Sequence, residues 1–412
     1  MGSDRLTEES NKTLAGDAAQ LDEARQQLAV QLARARRRAR LIYLWTVALP
    51  VVLVIALPII LAPQFFGAMA SILTNVPVLN WQPVAGWSPL LVLLWFILVS
   101  VPLLLLTVPF AWYISDLLPR RYGLHKGTAR QWFVSFGKRF LLRWGQLGLL
   151  VEVVMLFMAV QPRVWWAWAA LVQLLYSVLE NHSGSLRFLP YRKDITPLME
   201  GEIAERFQGL VTRLHIPSCH LLQFKISHRT AAANAFAIGW GRGRRVMLTD
   251  TMLQGLSPDE IEVVLAHELG HLVYRDIWTR LILRGLFFLC FFFVLNIYLV
   301  VLTAQVDQSS SLGPFQPFFP LLSSILLLVF AIVTVRYRRY QEYRADEFAL
   351  RATGKVQAFK TAMTRLTNMN MLVVTSTRHA RHPASHPTLL KRLKHADEFA
   401  ARNAVPVEAA QI

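Results

Sequence analysis

The sequence predicts an α-helical integral membrane protein of about six spans that carries a polar α+β domain. Three observations carry this prediction. The chain of 412 residues is 54% hydrophobic, with a mean hydropathy of +0.38. Its apolar residues are gathered into runs rather than spread evenly. Its basic residues flank those runs on alternating sides.

The runs come first. A hydrocarbon core about 30 Å thick takes roughly 20 apolar residues of helix. Runs that meet this criterion lie at 41–62, 88–114, 140–160, 164–180, 281–303 and 318–335. The fourth is short and rich in tryptophan (Trp165, Trp166, Trp168), a composition suited to the membrane interface. Residues 65–86 are apolar but broken by Asn75, Pro77, Asn80 and Pro83, and are expected as an interfacial loop on the far side. About 40 polar residues precede the first run, which excludes a cleaved signal peptide. Glu152 and Asn296 sit mid-run, where polar groups normally face protein or water.

The net charge of +17 raises nucleic acid as a partner, but the placement of the charge argues against it. Arg34, Arg36, Arg37, Arg38 and Arg40 precede the first run. Arg120, Arg121, Lys126, Arg130, Lys138, Arg139 and Arg143 lie between the second and third. Arg336, Arg338 and Arg339 follow the sixth. The intervening loops are nearly uncharged: 63–87 has no charge, 161–163 only Arg163, and 304–317 only Asp307. The positive-inside rule then places both termini and residues 181–280 in the cytoplasm, with the bilayer as the partner of the basic residues. Cys219 falls in a polar stretch and Cys290 in a run, so no disulfide is expected.

Five regions follow: a polar arm 1–40; a transmembrane region 41–180 with a cytoplasmic loop 115–139; a polar part 181–280; a transmembrane hairpin 281–335; and a polar part 336–412. The two polar parts face the same side and are expected to fold together. The first holds an expected helix at 196–214, a strand at 220–228 ("HLLQFKISH") and a β-hairpin at 234–250 around Gly241-Arg242-Gly243.

Next comes "SPDEIEVVLAHELGHLVYRD". Ser257, Pro258 and Glu260 form a helix-start signature, and the helix is expected to run on through Asp276, with Gly270 its one weak point. His267 and His271 are four apart, so both imidazoles point one way and reach one Zn²⁺ ion. Glu268 stands beside them, placed as a general base for the attacking water rather than as a ligand. A catalytic zinc needs a third protein ligand. "YQEYRADEFAL" (340–350) offers Glu342 and Asp346 on one helical face, one to ligate and the other to orient a ligand histidine.

These elements together resemble the membrane zinc metallopeptidases of the M48 family. That family includes the Ste24 CaaX prenyl proteases and their bacterial relatives, with the heat-shock protease HtpX more distantly related. The resemblance rests on "RRYGLHKGTARQWF" (120–133), "NAFAIGWGRGRRVMLTDTML", "VVLAHELGHLVYRD", "EYRADEFAL" and "SHPTLLKRL" (385–393), and covers about residues 110 to 395. It implies a zincin-like α+β metallopeptidase domain. It implies Glu342 as third ligand to a single Zn²⁺ and Asp346 as the residue behind a ligand. It implies His386 as the oxyanion donor with Arg392 in support, and Asn234, Ala235 and Phe236 as the strand that pairs with substrate. It also implies a helical chamber, into which Glu152 is expected to face. The eukaryotic members are described with seven spans, and the arm 1–40 has no counterpart among them.

The expected function is a zinc endopeptidase of the bacterial inner membrane. Its catalytic part faces the cytoplasm and cleaves peptide segments of membrane or lipid-anchored proteins. Two rivals are an intramembrane site-2-type protease and an inactive membrane scaffold. The first takes an Asp ligand from a Leu-Asp-Gly element that is absent from this sequence, and the second has no reason to keep the full set of site residues.

Overall fold

The computed structural model describes residues 26–44, 82, 83, 88–183, 189–306, 318–372 and 387–404. Most of the first expected span and of the loop 65–86 lies outside them. Helical residues 26–43 form α1. Helix α2 (Pro89–Trp112) continues through a π-helical turn (Tyr113–Leu117) to Leu118–Arg121. Helix α3 (Ala129–Val160) opens with a capping box between Thr128 and Gln131. The expected cytoplasmic loop 115–139 is therefore mostly helix, and its non-helical part shrinks to 122–128. Asp116 explains the extension of α2. It is fully buried within the π turn and accepts from Trp112 Nε1 (3.0 Å), Arg120 Nε (2.8 Å) and Arg120 Nη2 (2.8 Å).

Helix α4 (Trp165–Ser183) packs against α3 and against α8 (Asp276–Val306). The seam is aromatic: Phe157 stacks on Trp168 (5.6 Å), and Trp165 and Trp166 meet Phe292 and Phe293 edge-on (6.3 and 5.0 Å). Among the described residues, two helices are long and apolar enough to cross a membrane, Ala129–Val160 and Asp276–Val300. Only 6% and 11% of their apolar windows are buried. A core helix of a soluble protein would be covered; these show side chains such as Leu149 (66% exposed) and Ile282 (59%) to their surroundings. The expected count of six is thus not reproduced. The run 164–180 forms a continuous helix of 19 residues whose apolar sequence includes the polar Gln173 and Tyr176. The run 318–335 is the first half of α9 (Phe318–Thr353), whose second half is polar.

The polar parts fold together. Strand β1 (Ile195–Pro197) precedes α5 (Glu202–Arg213), so the expected helix at 196–214 starts later than its pattern suggests, at a Gly201 whose φ is 94°. Strands β2 (Cys219–Phe224), β3 (Ala235–Ile238) and β4 (Arg244–Thr249) complete a sheet of order β1-β2-β4-β3. β2 and β4 are parallel, with Leu222 opposite Met247, while β3 pairs antiparallel to β4, with Ala235 opposite Leu248. The expected hairpin is present, and it leaves β3 at the sheet edge. Helix α6 (Asp250–Gly255) leads to α7 (Pro258–Val273). The predicted cap of α7 is present: Ser257 N donates to Glu260 Oε2 (2.8 Å), and Ser257 Oγ accepts from Glu260 N (3.4 Å).

Helix α7 is the centre of the core. Val263, Leu265, Ala266 and Leu269 have no exposed surface. They pack among Phe207 and Leu210 of α5, Val246 and Leu248 of β4, Ala349 of α9 and Phe359 of α10 (Val356–Met369). Helix α11 (Leu389–Ala404) closes the far side through Ala396 and Phe399. Arg206 of α5 and Lys355 both reach Asp259 and Glu262 at the start of α7 (2.7 to 2.8 Å).

Helix α9 packs on α7 at Gly270 through Phe348. A Cβ there would lie 3.1 Å from Phe348 Cδ1 and 3.3 Å from its Cβ. Gly270→Val is expected to force the two helices apart and to destabilise the fold by about 1–3 kcal/mol. A lowered unfolding temperature of the zinc-free protein in detergent checks it; an unchanged value contradicts this packing.

Candidate metal centre

Three donors from two helices converge. One ligand atom each from His267, His271 and Glu342 all lie within 4.8 Å of one another. Glu342 Oε2 is 3.6 Å from His267 Nε2, and Glu342 Oε1 is 3.7 Å from His271 Nε2. The spacing of four on α7 aligns the imidazoles, and the packing of α9 across them brings in the carboxylate.

Behind each imidazole stands an aspartate. His267 Nδ1 lies 2.9 Å from Asp346 Oδ1, and His271 Nδ1 lies 2.7 Å from Asp276 Oδ2. A carboxylate on Nδ1 holds the proton there and leaves the Nε2 lone pair for a metal. Two imidazole nitrogens and one carboxylate oxygen are the donor set of a catalytic zinc site. The residues present therefore fit that ion.

Each aspartate is held by an arginine. Arg392 of α11 grips Asp346 with a two-pronged fork: Nε donates to Oδ2 at 2.8 Å and Nη2 donates to Oδ1. Arg344 of α9 donates to Asp276 Oδ1 and covers the Tyr274 ring at 4.1 Å. Burial alone would raise the Asp346 pKa, but Arg392 and His267 outweigh it and hold the carboxyl below the usual range. Burial would likewise lower the His267 pKa, yet Asp346 and Glu342 prevail and hold it up at about 10.

The sequence pattern does not assign Asp276 to the site, because it places this residue on the same continuous helix as His271. On a continuous helix His271 and Asp276 would point about 140° apart. The helix is not continuous. It ends at Val273, and Arg275 takes a left-handed φ of 55°, so Asp276 opens α8 in a new direction. Gln341 Nε2 donates to Asp276 O (3.3 Å) and fixes the break from α9. The spacing His-x₄-Asp was visible in the sequence, but nothing local announced the break.

The other expected residues are distributed as follows. Glu268 is half-buried beside His267 and is not one of the three donors. Asn234, Ala235 and Phe236 run into edge strand β3, against which α7 packs. Asn234 Oδ1 accepts from Ala235 N (2.9 Å). Ala233, just before it, is held at both backbone groups by Asn370 (3.1 and 2.8 Å). Arg392 is committed to Asp346, so its support reaches the site through His267. His386 lies outside the described residues. Glu152 is half-buried on α3. Both cysteines are free, and burial pushes the Cys219 thiol up to about 12.

Two outcomes follow from this geometry. Asp276→Asn and Asp346→Asn should each lower zinc affinity by about 10–100-fold. Competition with a fluorescent chelator measures this, and equal affinity in all three proteins contradicts the assignment. The second outcome concerns protons. Because the His267 pKa lies above that of an ordinary histidine, the metal-free protein carries a proton there at neutral pH. Zinc must displace it, so affinity should fall as pH is lowered and rise toward pH of about 10. Titration calorimetry in buffers of different ionisation enthalpy should show about one proton or more released per zinc near neutral pH; no release contradicts it.

A family model described as "Peptidase family M48" matches residues 197–400. The "Uncharacterized metalloprotease YhfN" of Bacillus subtilis is 26% identical over 305 residues, covering 71% of this chain and 70% of that protein. "CAAX prenyl protease 1" of Saccharomyces cerevisiae is 25% identical over 312 residues, covering 70% and 68%. The crystal structure of S. mikatae Ste24p superposes with a TM-score of 0.68 over 90% of this chain and 88% of that one, at 20% identity, which is a likeness of fold. With the His-Glu-x-x-His helix, the third carboxylate and the edge strand all inside the matched residues, the chain belongs to peptidase family M48.

Proposed function

We propose that this protein is a membrane-embedded zinc endopeptidase that cleaves extended tails or loops of membrane or lipid-anchored proteins at the cytoplasmic face of a bacterial inner membrane. The observation that carries the reading is the donor cluster His267, His271 and Glu342, set beside the half-buried Glu268 and an edge strand.

His267, His271 and Glu342 would hold the ion. Zinc bound there supplies Lewis acidity to water and to the scissile carbonyl. Glu268 accepts the proton of the attacking water and passes it to the leaving nitrogen. Asp346 and Asp276 keep the imidazoles in the ligating tautomer. Strand β3 offers its outer edge to an extended peptide, which pairs by main-chain hydrogen bonds and so must arrive unfolded. His386 donates to the developing oxyanion, as the family resemblance implies. Trp240 packs on Trp278 (5.1 Å) close to His271, and Trp278 opens the apolar helix α8. That contact supports a site close to the membrane surface, within reach of membrane-tethered substrates. The CaaX tails named for the yeast relative are one such class.

An intramembrane site-2-type protease is disfavoured by the setting of α7, whose buried face packs on the sheet, α5, α10 and the polar second half of α9. Glu268→Gln should retain zinc and lose activity by about 100-fold or more, whereas Glu342→Ala should lose zinc itself. Zinc content and cleavage of a tethered peptide reporter, measured on the purified protein, check both. Full activity of Glu268→Gln contradicts the mechanism. Zinc-loaded wild type that cuts no peptide supports the inactive-scaffold alternative. A tag at position 240 should be digested in inside-out vesicles and protected in right-side-out ones; the reverse pattern contradicts the orientation.

A further inference from the structure

A groove of about 650 Å³ lies between α1 and the C-terminal end of α2, and none of its lining residues is a metal donor. Its α1 wall is formed by positions 31, 34, 35, 38, 39 and 42, which make one continuous stripe along a helix. Its other wall includes Phe110, Tyr113 and Tyr122. Arg34 and Arg38 are one turn apart and both face this space. Among the described residues neither has a carboxylate within ion-pair distance, although carboxylates partner arginines elsewhere in the fold.

The polarity of the groove is graded. Along α1 the lining runs from Arg34 and Arg38, which precede the first apolar run, to Ile42 at its start; Phe110 lies within the second run, and the phenols of Tyr113 and Tyr122 belong to the facing wall. From Arg34 to Ile42 is about 12 Å of helix, the depth over which a phospholipid passes from phosphate to acyl chain. The wall is anchored: Leu32 has no exposed surface, Tyr43 packs on Phe110 (5.3 Å), and Gln26 Nε2 donates to Asn368 Oδ1 (2.7 Å).

We infer that this groove binds one anionic phospholipid of the phosphatidylglycerol type. The lipid phosphate sits between Arg34 and Arg38, the Tyr113 and Tyr122 hydroxyls donate to its headgroup oxygens, and an acyl chain follows Ile42 and Phe110. Basic pockets between helices on the cytoplasmic side recognise such headgroups by charge, and apolar contact below selects a lipid over a soluble anion. The inference rests on the reading of the chain as membrane-embedded with residues 34–40 on the cytoplasmic side.

Native mass spectrometry of the full-length, zinc-loaded protein in mild detergent tests it, with three probes: phosphatidylglycerol, phosphatidylcholine of the same chains, and soluble glycerol 3-phosphate. Phosphatidylglycerol should be retained roughly tenfold better than phosphatidylcholine, and equimolar glycerol 3-phosphate should not displace it. Arg34→Gln with Arg38→Gln should lower retention roughly tenfold. Lys138→Gln with Arg143→Gln, basic residues outside the groove, should leave it unchanged. Tyr113→Phe with Tyr122→Phe keeps the aromatic walls and should lower retention about threefold, which preserves the test if the double arginine variant fails to fold. Equal retention of both lipids, equal loss in the two basic-pair variants, or displacement by glycerol 3-phosphate overturns the groove site. Release of the chain from membranes by alkaline carbonate would instead overturn the membrane reading beneath it.

Discussion

Two buried aspartates pressed against the back of two histidines are the interaction on which the rest of this structure depends. Asp346 and Asp276 have no exposed surface, and an unpaired carboxylate in that setting costs several kcal/mol. Each is tolerated because it meets an imidazole on one side and an arginine on the other. Those arginines come from α9 and α11, so the site can be completed only when the C-terminal polar part has packed on the first. Assembly of the centre and closure of the domain core are one event.

The small residues along the contact serve the same requirement. Gly270 on α7 and the fully buried Ala345 and Ala349 on α9 let the helices come close enough for Glu342 to face both Nε2 atoms. The start of α7 is secured independently, by its capping box and by the pairing of Arg206 and Lys355 with Asp259 and Glu262. The helix that carries His267 and His271 is therefore fixed at its beginning by local chemistry and at its end by α9.

The edge strand is tied to both halves of the molecule. Residues 122–128 dock on the segment that leads into β3: Lys126 N and Gly127 N donate to Arg229 O (2.8 and 3.1 Å), and Thr230 Oγ1 donates to Leu124 O (2.8 Å). The π turn that buries Asp116 holds this loop from below, with His125 Nδ1 at 2.5 Å from Asp116 Oδ1. Asn370 holds Ala233 from the other direction. The strand proposed to receive substrate is thus placed by the transmembrane region as well as by the sheet, so a change at the end of α2 can reach the strand without touching the metal donors.

The sequence by itself determined whatever depends on neighbours within a few residues. The apolar runs, the capped start of α7, the alignment of His267 with His271, the pairing of Glu342 and Asp346 on one face, and the hairpin that exposes β3 all follow from helical or strand periodicity and turn chemistry. Tertiary structure decided what depends on a change of direction or on contact across the chain. The break at Arg275 is one case, because nothing in "LVYRD" forbids a helix, and Gln341 and Arg344 of a distant helix impose it. The partnership of Arg392 with Asp346 is another, since α11 must first close over α9. The extension of α2 to Arg121 is a third: Asp116 reads as a loop residue until Trp112, Arg120 and His125 are seen around it. In each case a charged group is buried in the fold against a partner that the local sequence does not pair with it, because that partner lies across a turn, a helix end or a membrane hairpin.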